Sequence, residues 1–387
     1  MPAAAPGLGF RATVATLALG QILVWAALYY AFSSFVLPMQ RELGWSKATL
    51  MGANTLGLAM WGAATYAAGA AIDRGHGRAV LAGGAAAGGL GILLWAFVTE
   101  PWHFYAVWAL MGSAMAFTLY DPAFAILTKR YPDRYRQGIV WLTLVAGFAS
   151  TLSFPACVWL IQAWGWRPAL LGLGALLLFF VAPLHAWALR GPAEPPRATG
   201  TDALADATLQ QALHQPAFWL LTGCFTLYAF AGALLWAHVM PAFADKGLSE
   251  TDALAVVVWI GPAQVAGRLI QVWIGSRFSL HAVGSVVLLG QPLALVLFAL
   301  TSSWLALWLF ALLFGLANGV ITIVRGGIVP EYFGRTHIGR IGGAMSAMSL
   351  LARAAAPLAG AGLLAWLAGY REVMLALAAL SAAGVAA

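Results

Sequence analysis

The chain has 387 residues, of which 62% are hydrophobic and 9% are charged, and its formal net charge is +7. A soluble domain usually carries about a quarter charged residues, so this chain cannot cover its surface against water and is not a soluble enzyme. Because the Lys and Arg residues are dispersed among short loops, the net charge does not indicate a nucleic-acid-binding surface either. The composition predicts an all-α integral membrane protein.

Apolar segments follow one another along the whole chain, and each is close to or above the length that crosses a bilayer as a helix. The first segment is far longer than the core of a signal peptide, about 7 to 15 residues, so we expect it to span the membrane. The twelve predicted spans are residues 13–39, 47–71, 79–98, 102–128, 137–163, 168–189, 216–243, 251–275, 282–300, 304–328, 339–366 and 372–387.

The basic residues predict the orientation of these spans. If the N-terminus is cytoplasmic, twelve Lys and Arg residues fall in the inner loops and tail, and five fall in the outer loops. This asymmetry satisfies the positive-inside rule. We therefore expect a multi-pass protein of the inner (plasma) membrane with both termini in the cytoplasm.

The two halves of the chain repeat each other at an offset of 203 residues. Pro38 matches Pro241, Gly44 matches Gly247, and Ser46 matches Ser249. Six helices duplicated in parallel are typical of carriers whose halves are related by an axis along the membrane normal. In this repeat the last helix is about six residues short, and we expect it to be truncated. The predicted domains are an N-terminal six-helix bundle (1–189), a cytoplasmic linker (190–215) and a C-terminal six-helix bundle (216–387).

The segment GAAIDRGHGR between the second and third spans resembles the G-x-x-x-D-R-x-G-R-R signature of the major facilitator superfamily, with His76 in place of a Gly. The resemblance implies two pseudo-symmetric six-helix bundles with twelve transmembrane helices. Gly69 would allow close helix approach, and Asp73 could accept hydrogen bonds from helix N-terminal amides or basic groups and lock the cytoplasmic face. Asp73, Arg74 and Arg78 are therefore predicted gating residues rather than substrate ligands.

Two shorter motifs, GWSKATL after the first span and GWR after the fifth, resemble the branch of monocarboxylate transporters and oxalate/formate antiporters. The fifth span lacks the G-x-x-x-G-P-x-x-G-G element typical of drug/proton antiporters in the superfamily. These features favour a carrier of organic anions. The alternative within transport is proton-coupled efflux of drugs or toxic compounds.

Arginines inside spans are the candidate ligands of an anion. A charge at the centre of a spanning helix costs roughly 2.5 to 3.5 kcal/mol, so it persists mainly where it faces water or a partner. Gly267-Arg268 resembles the Gly-Arg pair on helix eight of monocarboxylate carriers, and Arg353 resembles the basic position on helix eleven of oxalate/formate antiporters. A guanidinium group can bind a carboxylate bidentately. The alternatives are an interfacial role for Arg268 and a buried structural pair for Arg353.

Polar residues at helical spacing accompany these arginines. Helices one, eight, ten and eleven each carry such a stripe, and a polar stripe does not face lipid comfortably. We expect the four helices to line one aqueous cavity. The predicted substrate-binding residues are Arg268, Arg353, Gln264, Tyr29, Trp25, Asn318 and Ser349.

Asp121 and Arg325 differ by 204 residues, which is the repeat offset in this part of each half. The duplication thus places opposite charges at equivalent points on helices four and ten, where they could form an inner gate or a static ion pair. Asp121 is also the acidic residue within a span that could carry a proton. However, Gln264 stands where the monocarboxylate carriers have an aspartate, which argues against their type of proton symport and leaves anion exchange open.

The sequence predicts a monomeric secondary transporter that moves a small organic anion, a mono- or dicarboxylate, by alternating access through the lipid bilayer, with a proton or a counter-anion. No ATP-binding G-x-x-x-x-G-K-[ST] loop is present. We expect no enzymatic activity, no cofactor, no metal site and no nucleic-acid partner. A receptor or non-transporting scaffold with the same fold is the alternative from another class.

Overall fold

The computed structural model describes residues 7–193, 206–274 and 277–386. Every regular element in these ranges is helical. Most of the predicted linker, residues 194–205, lies outside the described part of the chain, as does residue 275 at the end of the eighth predicted span. By their contacts the residues form two units, and each unit is considered separately below.

The first unit contains Met1–Leu209 and Phe333–Ala347. Segments of π-helix at Trp25–Tyr30, Ile72–His76 and Leu176–Val181 connect α1 to α2, α3 to α4 and α9 to α10. Its helices are α1 (Phe10–Val24), α2 (Phe32–Leu43), α3 (Lys47–Ala71), α4 (Gly77–Trp95), α5 (Pro101–Thr118), α6 (Tyr120–Arg130), α7 (Tyr135–Ala146), α8 (Ala149–Trp164), α9 (Trp166–Ala175) and α10 (Ala182–Ala188).

The second unit contains Gln210–Tyr332 and Met348–Ala387. By these contacts, the start of the eleventh predicted span of the chain belongs to the first unit. The predicted domain boundaries at residues 189 and 216 remain a prediction. The residues of the second unit lie in the helices α11 (Leu209–Leu213), α12 (Pro216–Asp245), α13 (Glu250–Val257), α14 (Ile260–Ile274), α15 (Leu280–Leu300), α16 (Trp304–Phe333), α17 (Ile338–Trp366) and α18 (Tyr370–Ala386). Of these helices, Leu209, Phe333 and residues 338–347 belong to the first unit.

Apart from residues 275 and 387, the described residues contain the twelve predicted spans. Ten helical stretches are long and apolar enough to cross a membrane, and one of them, Lys47–Trp95, has 49 residues. That length is twice what a bilayer needs, and Gly75 divides the stretch with a φ of 90°. The last span, Tyr370–Ala386, has 17 residues and completes the set.

The helix boundaries preserve the internal repeat. Gly44 and Gly247 both adopt positive φ, 69° and 75°, where their helices end. Two residues later, the hydroxyls of Ser46 and Ser249 each accept a hydrogen bond from the third backbone N–H of the next helix. Such caps satisfy amide groups that the helix itself leaves without partners. The same local chemistry therefore begins the second predicted span in each half.

Each unit has its own apolar core. In the first unit, Trp95, Trp108, Phe104 and Phe35 are among the largest fully buried side chains. In the second unit, a cluster of buried residues from α12 to α18 surrounds Phe298 and Phe310. Because both cores are closed by apolar packing, polar side chains buried near them require a specific explanation.

Candidate functional site

Arg268 is a buried cation in the second unit. It lies on α14 with 6% of its surface exposed, and its Nε donates a hydrogen bond of 3.2 Å to the carbonyl oxygen of Gly319 on α16. Among the described residues, its two terminal amino groups have no hydrogen-bond partner. Because the guanidinium is held through Nε, its two terminal amino groups are available for bidentate binding of a carboxylate. Its burial favours this role over an interfacial arginine.

Small residues bring α14 and α16 together at this arginine. A Cβ atom added to Gly319 would overlap the backbone carbonyl of Gln264, and one added to Gly267 would lie 2.6 Å from the carbonyl oxygen of Leu316. The two helix backbones therefore touch, as small residues permit in membrane proteins. Gln264 is half-buried at this crossing, and so is Asn318, the neighbour of Gly319. Three predicted ligands thus share one helix crossing.

Ser349 and Arg353 lie one turn apart on α17. Ser349 is 2% exposed, and its hydroxyl is 3.2 Å from that of Thr226 on α12. Arg353 is half-buried. Four residues further on, Pro357 lacks the N–H that would bond to the Arg353 carbonyl within the helix. This segment is therefore a second polar region of the unit, carried by another helix.

Trp25 and Tyr29 belong to an aromatic cluster in the first unit. Ring centroids lie 5.3 Å apart for Trp25 and Tyr29, 4.7 Å for Trp25 and Tyr120, and 5.9 Å for Trp25 and Trp61. Tyr30 completes the cluster, 5.1 Å from Tyr29. The sequence indicated Trp25, Tyr29 and Tyr30, but Trp61 and Tyr120 gave no signal because the chain contains 18 Trp and 10 Tyr residues.

Asp73 makes both kinds of contact that the sequence predicted for it. Its carboxylate accepts hydrogen bonds from the backbone N–H groups of Gly339 and Arg340, at 3.0 and 2.8 Å, and forms an ion pair with Lys129 at 3.1 Å. The two amides belong to the first turn of α17, where the helix dipole favours an anion. A Cβ atom on Gly69 would overlap the carbonyl of Gly339, so the glycine permits this approach.

The other two predicted gating residues of this motif do not take part in these contacts. Arg74 and Arg78 are exposed, and they make no hydrogen bond or ion pair with other residues in the described ranges. The positive charge next to Asp73 comes instead from Lys129 at the end of α6. Lys129 is 56 residues away from Asp73, so sequence proximity could not identify it.

A second carboxylate holds the same loop. Asp206 accepts hydrogen bonds from the backbone N–H groups of Arg335 and Thr336 and from the Thr336 hydroxyl. Burial favours the neutral form of Asp206, but these hydrogen bonds outweigh it and hold the pKa of the carboxyl below its usual value. We call residues 333–340 together with Asp73, Lys129 and Asp206 the loop clasp.

Asp121 and Arg325 occupy comparable positions in separate units. Asp121 lies in the first turn of α6, directly after a break at Leu119, where ψ is −154°. Arg325 lies on α16, and both side chains are half-buried. Their pairing stays a prediction. Among the described residues, no group of His, Cys, Asp and Glu could hold a metal ion.

Comparisons with known proteins agree with this architecture. A family model described as Major Facilitator Superfamily matches residues 17–291. Monocarboxylate transporter 13 of Rattus norvegicus is 26% identical over 67% of this chain and 60% of its own length. Monocarboxylate transporter 11 of Mus musculus is 29% identical over 58% of this chain and 50% of its own length. The chain therefore spans about half to three-fifths of these relatives.

Solved structures share the fold over nearly the whole chain. The human organic anion transporter MFSD10 (TETRAN) has a TM-score of 0.72 at 18% identity, covering 98% of this chain and 99% of that one. The transporter FucP in the outward conformation has a TM-score of 0.76 at 12% identity, covering 96% of both chains. At these identities the likeness concerns the fold alone. The predicted fold class of twelve membrane helices is confirmed.

Proposed function

Because the chain belongs to the Major Facilitator Superfamily, we propose that it is a secondary transporter that moves a small organic anion, a mono- or dicarboxylate, by alternating access. We place it in the inner membrane as a monomer with both termini in the cytoplasm, in accord with the distribution of its basic residues. The names of its relatives, monocarboxylate transporters, support this class of cargo.

The observation that carries the proposal is the state of Arg268. Its side chain is buried, its Nε is occupied by the Gly319 carbonyl, and the described residues supply no anion to it. A buried cation without a counter-ion is unfavourable unless a charged partner or water reaches it. A carboxylate on the cargo supplies that partner, and the guanidinium remains charged at any physiological pH.

The remaining polar side chains of the second unit supplement this charge. Gln264 and Asn318 stand at the same helix crossing as Arg268 and can donate or accept hydrogen bonds. Arg353 and Ser349 on α17 are the second proposed anchor, and a second anchor would suit a dicarboxylate. In the first unit, Trp25 and Tyr29 provide apolar surface for the carbon skeleton.

Gating and coupling are assigned to the acidic side chains and their partners. We propose that Asp73 is a latch whose hydrogen bonds to the first turn of α17 form and break during transport, with Arg74 and Arg78 serving as accessory charges of the same loop. We assign Asp121 and Arg325 to an inner gate. Since Gln264 replaces the aspartate of monocarboxylate carriers, exchange of anions is favoured over proton symport.

A thermal-shift screen of carboxylates tests the site. We expect mono- or dicarboxylates to stabilise the wild-type protein, Arg268→Gln to abolish this stabilisation and Arg268→Lys to retain part of it, because lysine keeps the charge without the fork geometry. Arg371→Gln, which changes an exposed arginine of the same unit, is the matched control. Stabilisation of wild type and Arg268→Gln alike by carboxylates, or by neutral and cationic compounds only, would contradict the proposal.

A further inference from the structure

Two contacts with α12 bracket Arg353 on α17, and both lie within the second unit. Before the arginine in sequence, the Ser349 hydroxyl lies 3.2 Å from that of Thr226. After it, the carbonyl oxygen of Pro357 lies 3.1 Å from Nε2 of His238. Ser349 and Pro357 are each four residues from Arg353, which corresponds to about one helical turn. One helix therefore holds its neighbour on both sides of the arginine.

The contact with His238 is made where α17 is locally weakened. Pro357 has no N–H group, so the helical hydrogen bond that the Arg353 carbonyl would accept is missing. Gly360 permits close approach of the two helices here, because a Cβ atom added to it would lie 2.5 Å from Nε2 of His238. A helix that lacks one of its hydrogen bonds bends at that point. We therefore expect the contact with His238 to set the direction of the segment that carries Arg353.

The partners of His238 define which of its ring nitrogens carries hydrogen. The Pro357 carbonyl can only accept, so Nε2 of His238 donates to it. In the neutral ring Nδ1 is then an acceptor, and the Tyr370 hydroxyl, 3.3 Å away, donates to it. When Nδ1 binds a proton, the hydroxyl can turn and accept. Both contacts thus persist in either state, whereas the charge of the ring changes.

Charged groups of both signs lie on the segments around His238. Tyr370 on α18 contacts the ring directly, and the charge of Asp245 at the end of α12 acts on Tyr370. A Cβ atom added to Gly369 would lie 3.6 Å from the carboxylates of both Asp245 and Glu372. The cations of these segments are Arg353 on α17, Lys246 directly after α12 and Arg371 on α18. Because carboxylates and cations are both present, the surroundings exclude neither charge state of the ring.

We propose that His238 is a positioning residue for Arg353, and that a proton on its ring strengthens anion binding at this anchor. The inference rests on the proposed function, in which Arg353 is the second anchor for a dicarboxylate. Histidine ordinarily changes its charge between pH 5 and 8, and an added cation near the anchor attracts an anion. Since coupling between two ligands is reciprocal, the anion in turn increases the proton affinity of the ring. This linkage applies to exchange and to symport alike.

Calorimetry of oxalate binding to the purified full chain tests the linkage. Oxalate is the probe because both of its carboxylates are ionised over the range in which histidine titrates. In wild type we expect binding to be about three- to tenfold tighter at about pH 6 than at about pH 8, the effect of one added charge near the site. Titrations in buffers of different ionisation enthalpy should also show net proton uptake on binding near neutral pH.

Two substitutions of His238 separate its hydrogen bonds from its charge. His238→Gln keeps a donor for Pro357 and an acceptor for Tyr370 but does not titrate. We expect it to bind oxalate as wild type does at about pH 8, without the pH dependence and without proton uptake. His238→Phe removes both hydrogen bonds and should bind more weakly at either pH. The matched control is His214→Gln, since His214 is an exposed histidine of the same unit whose ring contacts the nearby Gln210 carbonyl. It should behave as wild type.

The wild-type measurement tests the inference even if a variant does not fold. Equal oxalate affinity at the two pH values without proton uptake would overturn it, as would pH dependence and proton uptake that persist in His238→Gln. Wild-type affinity of His238→Phe at both pH values would remove the positioning role. If oxalate binding is still lost in Arg268→Gln, the proposed function survives these results. Absence of binding by oxalate and by other carboxylates in wild type would overturn both proposals.

Discussion

The two units share a duplicated pattern of helix caps and turns but differ in the side chains that their spans bury. The first unit presents an aromatic cluster and an acidic residue, Asp121, whereas the second unit carries Arg268, Arg325 and Arg353 within its spans. Duplication therefore preserved the backbone signals while the chemistry of the spans diverged.

The loop clasp is a second difference between the units. In the first unit, Asp73 and Asp206 accept hydrogen bonds from backbone amides, whereas in the second unit the terminal amino groups of Arg268 have no hydrogen-bond partner among the described residues. Of the variants considered, Asp73→Asn should weaken the loop clasp most strongly. We expect a loss of about 2 to 3 kcal/mol of stability, since hydrogen bonds to a charged group contribute about 1.5 to 3 kcal/mol, together with altered transport. Chemical denaturation and uptake assays measure both effects.

Glu100→Gln is the control for Asp73→Asn, because it neutralises an exposed acid that makes no capping hydrogen bond. A wild-type denaturation midpoint and normal uptake in Asp73→Asn would show that the contacts of Asp73 contribute neither to stability nor to gating.

Gly319→Ala tests the second unit by changing the crossing of α14 and α16 at which Arg268 lies. The new Cβ atom would overlap the Gln264 carbonyl, so α14 and α16 must separate. We expect destabilisation of about 1 to 3 kcal/mol, the range for overpacking, and weaker carboxylate binding. Gly261→Ala on α14 meets no atom within 4 Å and should leave binding intact. Equal behaviour of the two variants would show that close packing at Gly319 does not position the arginine.

Exchanging the charges at Asp121 and Arg325 tests whether transport depends on the opposite charges at these equivalent positions of the two units. We expect Asp121→Asn and Arg325→Gln each to reduce transport, and the double variant Asp121→Arg/Arg325→Asp to recover part of it, with a coupling energy of about 1 kcal/mol. Transport assays of the three proteins form the test. Normal transport by both neutral single variants would remove the inner gate from the mechanism.

The smallest expected effect is the pH dependence of the stability that Asp206 contributes. A carboxyl whose pKa is lowered by folding stabilises the folded state above its unfolded pKa, and this contribution is lost as the pH falls through the folded value. Asp206→Asn should therefore melt at a lower temperature than wild type at pH 7, and the difference should shrink below about pH 4. A difference that grows in acid would contradict this assignment, as would its absence at pH 7.

The sequence predicted the features that depend on local chemistry. Apolar length gave the twelve spans, and the 203-residue offset located Gly44 and Gly247, both of which adopt the left-handed conformation. The signature motif identified Asp73 as an acceptor for helix amides, and its carboxylate accepts hydrogen bonds from the N–H groups of Gly339 and Arg340. These signals lie within short segments, so neighbouring residues were sufficient to interpret them.

The remaining features depend on partners distant in sequence. Asp206 and Thr336 are 130 residues apart, and Arg268 and Gly319 are 51 apart. Nothing in either local segment indicates the other. The π-helical segment at Trp25–Tyr30 also leaves the apolar composition of the span unchanged, so periodicity does not reveal it. For the same reason Trp61 could not be distinguished from other tryptophans until the rings around it were located.

Substrate counterflow in proteoliposomes tests the central claim most directly. Vesicles loaded with an unlabelled carboxylate and containing wild-type protein should accumulate the same labelled carboxylate transiently, with pyruvate, oxalate and phenylglyoxylate as probes. Arg268→Gln, reconstituted to the same density, should show none of this uptake, whereas Arg371→Gln should match wild type. Absence of carboxylate counterflow in wild type, or undiminished counterflow in Arg268→Gln, would contradict an organic-anion carrier that depends on this arginine.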